Sequence, residues 1–324
     1  MSAGLLHFKP EMRRVEAYMQ SVWNGAEGLA RRVADYVSEN RGKHLRPKLV
    51  ILSSRANQVY SREPEGGDER VLRMAASIEV LHIASLLHDD VIDHAESRRG
   101  RPSINSRFGE DVAILSADLM FSEAFGMVLP ELDGNILRLL LSTTRTMCES
   151  ELMEIELRDS VINEQQYYRI IASKTARLFS ACTEMGALLA SFDEERRKHL
   201  ARFGEEIGLA FQIRDDALDY TGEADRLGKP VGNDLSHGKQ TLPLVHAFQA
   251  ADEADREILL QELKNGRRME KVMPLIDKYG GLEYTQEKAD EHINRAIAEI
   301  PKFAGDEAAR WFEKFSRMIV NRDY

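Results

Sequence analysis

Residues 71–93 read VLRMAASIEVLHIASLLHDDVID, and the rest of the chain is best read outward from them. Wound as a helix, this stretch is apolar all round: Val71, Leu72, Met74, Ile78, Val80, Leu81, Ile83, Leu86 and Leu87. Such a helix has to be buried on most sides. It nevertheless runs straight into three carboxylates, Asp89, Asp90 and Asp93. A second stretch repeats the plan. From Leu200 a stripe of Phe203, Ile207, Phe211 and Leu218 leads into Asp215-Asp216-Ala217-Leu218-Asp219. Gly204 and Gly208 sit one turn apart within it. Glycine is expensive inside a helix, so another backbone is expected to approach closely there.

Around these two helices the chain reads as helix throughout. Proline is scarce, at 9 in 324 residues, and Leu, Ala, Glu and Arg are common, the mix that loses least on helix formation. Turns are expected at Glu63-Pro64-Glu65-Gly66-Gly67-Asp68, at Pro130-Glu131-Leu132-Asp133-Gly134-Asn135, at Asn265-Gly266 and at Gly280-Gly281. Ser191 followed by Glu194 fits a capping box for a helix starting near Asp193. No linker, low-complexity tract or hairpin-bounded strand alternation stands out, so one all-α domain over residues 1–324 is the expectation. The 43% of hydrophobic residues suffices for a large core, and the net charge of −10 argues against nucleic acid as a partner. Cys148 and Cys182 lack metal-ligand spacing and are expected to be buried, reduced thiols. The opening MSAGLLHFKPEMRR lacks a signal-peptide pattern, and no run approaches the ~18 apolar residues of a spanning helix. A cytoplasmic protein without a transmembrane segment is expected.

Positions i and i+4 share a helix face, which aligns Asp89 with Asp93 and Asp215 with Asp219. Carboxylates gathered at an apolar helix end repel one another and lose hydration. A hard cation relieves both, and Mg²⁺ favours one or two carboxylates plus phosphate oxygens. Carboxylates alone would also suit a nuclease or a glycosidase; the surrounding cations decide otherwise. Arg98-Arg99-Gly100-Arg101-Pro102 follows the first acidic motif. Gly228-Lys229-Pro230 and Gly238-Lys239-Gln240-Thr241-Leu242-Pro243 follow the second. Gly42-Lys43-His44-Leu45-Arg46-Pro47 and Ser173-Lys174-Thr175 complete the set. Guanidinium forks and lysine point charges beside six aspartates describe a pocket for two diphosphates.

These segments, LLHDDVID, RRGRPS, SKTARLF, FQIRDDALDY and GKPVGNDLSHGKQTLP, stand together in one order. In them the chain resembles the trans-isoprenyl diphosphate synthases, and most of all their long-chain, octaprenyl- and heptaprenyl-type polyprenyl members. The match is strong over residues 41–247 and looser at the flanks. The resemblance implies a large helical bundle of the isoprenoid synthase type around a central apolar cavity. It implies that Asp89, Asp93 and Asp215, supported by Asp90, Asp216 and Asp219, hold about three Mg²⁺ ions against an allylic diphosphate. Arg98, Lys174, Lys229 and Lys239 would bind that diphosphate directly, and Lys43, Arg46, His82 and Arg99 would hold isopentenyl diphosphate. Thr175 and Gln212 would line the reaction centre. A homodimer is also implied.

The sequence departs from the family pattern in places. Arg41 stands for a glycine and His44 for a basic residue in the isopentenyl loop, Ala117-Asp118 for Gly-Asp, and Ser150 and Glu154 for a glycine and a glutamine. None removes a metal or diphosphate contact. A terpene cyclase would carry a second motif with Asn and Ser and no isopentenyl site; a non-catalytic partner subunit would have lost aspartates or arginines. The expected reaction is condensation of isopentenyl diphosphate with farnesyl or geranyl diphosphate, giving a long all-trans chain for quinone side groups. The alternative is a short-chain farnesyl or geranylgeranyl product. Length turns on the layer beneath Asp89, one turn or ~5.4 Å down. There Ala84 and Ser85 leave room where short-chain relatives carry bulk, with Leu81, Phe121, Phe125 and Met127 as a deeper floor.

Overall fold

The structure is a computed structural model that describes residues 8–39, 42–57, 68–131, 134–158, 160–221 and 232–321. In chain order its helices are α1 (Lys9–Ser21), α2 (Gly28–Glu39), α3 (Leu45–Ser54), α4 (Glu69–Ile92), α5 (Ile104–Phe108), α6 (Glu110–Gly126), α7 (Gly134–Leu157) and α8 (Glu164–Ile171). They continue as α9 (Arg177–Leu189), α10 (Glu194–Thr221), α11 (Asn233–Ser236), α12 (Leu242–Ala250), α13 (Glu253–Gln261), α14 (Met269–Lys278), α15 (Gly281–Glu299) and α16 (Asp306–Asn321). Two residue pairs form the strands β1 (Ser97–Arg98) and β2 (Arg101–Pro102). The all-α expectation holds.

α4 starts where Asp68 accepts the Arg70 amide at 2.9 Å and leads to Asp93 as its C-cap. Leu72, Met74, Ile78, Val80, Leu81 and Ala84 are completely buried along it. By length and composition α4 alone among the described residues would suffice to cross a membrane. However, 67% of its most apolar window is buried inside the protein, which marks a core helix. Its neighbours are α6, α3 and α1; α3 packs on α9, α9 on α10, and α10 on α15. The acidic ends of α4 and α10 are therefore carried by two long helices that run through the core.

At its two glycines α10 touches the backbone of α9 and of the turn that leads into it. A Cβ at Gly204 would stand 2.5 Å from Thr183 Oγ1 and 2.7 Å from the Phe179 carbonyl oxygen; one at Gly208 would meet Ala176 Cα at 2.5 Å. Alanine at either position would overpack the core, at a cost of about 1–3 kcal/mol.

Three local expectations change. Ser191 does not cap α10. It adopts φ 55°, and the amides of Ser191 and Phe192 donate to the carbonyls of Leu188 and Ala187, which closes the end of α9. Asp193 caps α10 instead, accepting the Arg196 amide at 2.9 Å. Cys148 is exposed on α7, and only Cys182 is buried. The arginine run forms a hairpin: Ser97 pairs with Pro102 and Arg98 with Arg101, with Arg99 (φ 53°) and Gly100 (φ 73°) as its two turn residues. Positive φ at both is the signature of a type I′ turn. Among the expected turns, Gly280 (φ 68°) separates α14 from α15, and Gly266 ends a π-turn, Glu262–Gly266. Residues 63–67 and 132–133 lie outside the described residues.

Candidate active site

α10 brings Gln212, Asp215 and Asp216 to a cavity of about 150 Å³. A π-turn, Ala172–Ala176, adds Lys174 and Thr175 to its wall between α8 and α9. One extra residue in a helical turn re-aims the side chains it carries, and such bulges recur at functional sites. The acidic end of α4 joins the same wall through the loop beyond α11, because Lys239 Nζ donates to Asp93 Oδ2 at 2.6 Å. The lining thus comes from the second motif and both lysine segments, and the first motif touches it through Asp93.

Behind the cavity the second motif is fixed by hydrogen bonds. Thr175 Oγ1 donates to Gln212 Oε1 (2.7 Å), and Gln212 Nε2 donates to Asp216 Oδ1 (2.8 Å). Tyr167 Oη donates to Asp216 Oδ2 (2.6 Å), which with burial pushes its own phenol well up. Asp219 is fully buried and accepts the Asp234 amide at 3.0 Å. Asp90 is buried too and takes the Arg98 guanidinium, with Nε 2.8 Å from both carboxylate oxygens and Nη2 2.6 Å from Oδ1. The middle acid of each motif therefore anchors a neighbour, while Asp215 lines the cavity and Asp93 and Asp89 lie beside its two lysines.

Charge at the site is tightly matched. Lys174 Nζ donates to Glu151 Oε2 (2.6 Å) and Glu154 Oε2 (2.7 Å). Burial disfavours its ammonium, yet Asp89, Glu154 and Glu151 hold its pKa above that of an ordinary lysine. Burial likewise works to raise Asp93, but the charge and hydrogen bond of Lys239, with Lys174, bring it below the usual carboxylate value. Asp89 moves the other way: burial raises it despite Lys174, Lys239 and Arg98. Asp93 Oδ1 and Glu151 Oε1 are buried without a hydrogen-bond partner. An oxygen-only donor set with unsatisfied buried lone pairs fits a hard divalent ion. Among the described residues no three metal-binding side chains close on one point, as suits Mg²⁺, which completes its shell with water and phosphate oxygens.

A second cationic group adjoins the first. Arg46 lies over the Phe179 ring at 4.9 Å from its centroid. A Cβ on Gly42 would come within 2.9 Å of the Arg99 guanidinium, so the loop bearing Lys43 and the hairpin turn interlock. Burial, then the charges of Arg46, Arg99 and Arg98, keep His82 well below the ordinary 6.5, so its imidazole is neutral at pH 7. Lys229 lies outside the described residues. Beneath Asp89, Leu81 and Ala84 are completely buried, while Ser85, Phe121 and Phe125 keep partial exposure. The Phe121 ring stands 5.5 Å from that of His88.

Comparison with known proteins places this arrangement. The polyprenyl synthetase family model matches residues 27–278. The chain belongs to the polyprenyl synthetase family. It is a trans-prenyltransferase of the all-α isoprenoid synthase fold. It is 34% identical over 294 residues to the octaprenyl diphosphate synthase of Escherichia coli K12, covering 90% of this chain and 89% of that one. It is 32% identical over 301 residues to a short chain isoprenyl diphosphate synthase of Methanothermobacter thermautotrophicus, covering 90% of each. Among solved structures, a polyprenyl synthase from Caulobacter crescentus CB15, complexed with calcium and isoprenyl diphosphate, superposes with a TM-score of 0.90 at 27% identity. That match covers 98% of this chain and 96% of the other.

For this family member the sequence reading did not single out Glu151, Tyr167, Arg158, Gln240 or Asp234. Glu154 was legible only as a departure from glutamine. Arg158 Nη2 approaches Asp93 Oδ1 at 3.8 Å, and Gln240 bridges the Ser160 carbonyl and the Ile162 amide behind the cavity. The signal for Glu151 and Glu154 was present as acids three apart on one face of α7.

Proposed function

We propose that the chain condenses isopentenyl diphosphate with farnesyl or geranyl diphosphate to give long-chain all-trans polyprenyl diphosphates of the kind used in quinone side chains. The observation that carries this is the adjacency of two unlike anion sites. One combines Asp89, Asp93 and Asp215 with Lys174 and Lys239; the other combines Arg46, His82 and Arg99 with the Lys43 loop. An enzyme joining two diphosphates needs one site that ionises its substrate and one that only holds it.

About three Mg²⁺ ions, held by Asp89, Asp93 and Asp215 with Asp90, Asp216 and Asp219 in support, would supply Lewis-acid charge to the leaving diphosphate. Lys174, Lys239, Arg98 and Lys229 add fixed positive charge where negative charge develops as the allylic C–O bond breaks. Thr175 has committed its proton to Gln212, so the hydroxyl can offer only lone pairs to the allylic cation. Lys43, Arg46 and Arg99 hold isopentenyl diphosphate so that its double bond forms the new C–C bond. The proton then lost passes to the released pyrophosphate. The apolar walls keep water from the cation.

A homodimer is supported by apolar side chains left outside. Leu141, Leu152 and Ile155 on α7, and Ile114, Leu115 and Leu119 on α6, are 40–68% exposed, and large apolar side chains left in water in such number favour an interaction surface. The single domain over 1–324 and a cytoplasmic location complete the reading; the burial of α4 is that of a helix packed in a protein core rather than in a membrane. The test is transfer of labelled isopentenyl diphosphate into an extractable product. Incorporation should require an allylic diphosphate, stop with EDTA and resume with Mg²⁺. Incorporation that ignores EDTA would overturn the metal assignment, and none with any allylic primer would overturn the function.

A further inference from the structure

Glu79 lies outside both acidic motifs, and His44, inside the Lys43–Arg46 segment, has been given no role so far. We propose that they form a positioning pair that sets the geometry of the isopentenyl-diphosphate subsite, an inference that rests on the function proposed above.

Glu79 lies on α4, three residues before His82, with its side chain 6% exposed. His44 Nδ1 stands 3.1 Å from Glu79 Oε1. The other ring nitrogen, Nε2, faces Glu16 Oε1 of α1 at 3.9 Å. A cavity of about 50 Å³ bordered by His44 and Glu16 has room for a bridging water. The imidazole is thus hydrogen-bonded to one carboxylate and faces a second from another helix, with Nε2 buried and without a direct hydrogen-bond partner. His44 is also the N-cap of α3, in a left-handed conformation (φ 49°), and makes no side-chain capping bond. A non-glycine residue stays in that region only when its surroundings hold it there. Here the side chain that would cap the helix is turned to Glu79 instead.

What this conformation fixes is the loop. Lys43 precedes His44, Arg46 follows it two residues later, and Gly42 packs against the Arg99 guanidinium. Moving His44 would move all three cations of the subsite. Charge points to the same residue. Burial pulls Arg46, Lys48 and Arg99 down, and in each case Glu79 pushes back, the one carboxylate acting on all three.

The two contributions of Glu79 predict opposite signs. As a bare charge it repels phosphate, so Glu79→Gln would tighten isopentenyl diphosphate binding. As a positioning residue it holds the loop, so Glu79→Gln would weaken it. The positioning account predicts that His44→Ala and Glu79→Gln each raise the calorimetric Kd and the KM for isopentenyl diphosphate about tenfold. The allylic KM and kcat should stay within about twofold. The double variant should be no worse than either single one, as for residues acting through one contact. His44→Arg, which restores a donor toward Glu79, should recover most of the affinity and covers the case where Glu79→Gln fails to fold. Wild-type affinity in His44→Ala, or tighter binding in Glu79→Gln, would overturn the proposal. A wild-type enzyme that binds no isopentenyl diphosphate would instead overturn the proposed function.

Discussion

Lys239 and Asp93, 146 positions apart in the chain, meet at 2.6 Å and join the end of the first acidic motif to the loop beyond the second. The contact keeps the Asp93 carboxyl low and leaves its other oxygen facing inward without a hydrogen-bond partner. Lys239→Met should release Asp93 and remove charge from the leaving-group side together. The expected result is a kcat lower by roughly 10–100-fold, with the KM for isopentenyl diphosphate within about twofold. Steady-state kinetics with each substrate varied in turn measures both. A rise confined to the isopentenyl KM would place Lys239 at the other subsite.

Asp215 lines the cavity from α10 and Asp89 lies beside its lysines at the end of α4, so each should be needed for metal. Asp89→Asn or Asp215→Asn should lower kcat by on the order of 10²-fold or more. A readout independent of turnover is thermal: Mg²⁺ with pyrophosphate should raise Tm for the wild-type protein, since ligands bind only the folded state. Either variant should lose most of that rise. An undiminished shift in both would remove the two aspartates from the metal site.

Product length should respond to the layer beneath Asp89. Of the two small residues in that layer, Ala84 is completely buried in the α4 core. A phenyl ring there overpacks the core and is expected to cost about 1–3 kcal/mol or more. Ser85, one turn below Asp89, keeps partial exposure, and its hydroxyl is bonded only locally to the His82 carbonyl at 2.8 Å. Ser85→Phe is therefore the change expected to shorten the product while early condensations continue. Chromatography of dephosphorylated products decides, and an unchanged product would show that the chain grows elsewhere.

Much of this site was legible before the structure. An all-round apolar helix ending in acids has few physical explanations, and mid-helix Gly204 and Gly208 announced the close approach now seen at Phe179 and Ala176. What stayed hidden was what each acid does. Asp89, Asp90 and Asp93 look equivalent as letters, but it is Asp90 that hydrogen-bonds the hairpin's Arg98. The π-turn that aims Lys174 carries no composition signal. Ser191 failed as a cap because capping depends on φ, and its left-handed backbone closes α9 instead. Cys148 looked buried because the face of α7 on which it lies is apolar yet exposed.

His82 predicts a pH dependence of stability. Burial among Arg46, Arg99 and Arg98 holds its folded pKa well below the 6.5 of a free imidazole. Between those two values the unfolded chain binds the extra proton, so stability rises with pH there. The His82 contribution is therefore complete above about pH 6.5 and is lost progressively as the pH falls toward the folded value. Denaturant midpoints measured from pH 7.5 to 5 should decline in the wild-type protein. His82→Gln should flatten part of that decline, and an identical slope in the variant would contradict a buried neutral His82.

The central claim, elongation to a long polyprenyl diphosphate, faces its sharpest test in the product itself, since relatives of similar identity are named for octaprenyl and for short-chain products. The measurement is a mass spectrum of dephosphorylated products after incubation with farnesyl diphosphate, excess isopentenyl diphosphate and Mg²⁺. Each added unit buries further CH₂ groups at about 0.8 kcal/mol apiece, which favours continued growth while apolar space remains. The expected spectrum is a series of five-carbon steps running well past the twenty-carbon stage and ending in one dominant long alcohol. A product that stops at fifteen or twenty carbons under excess isopentenyl diphosphate would contradict it.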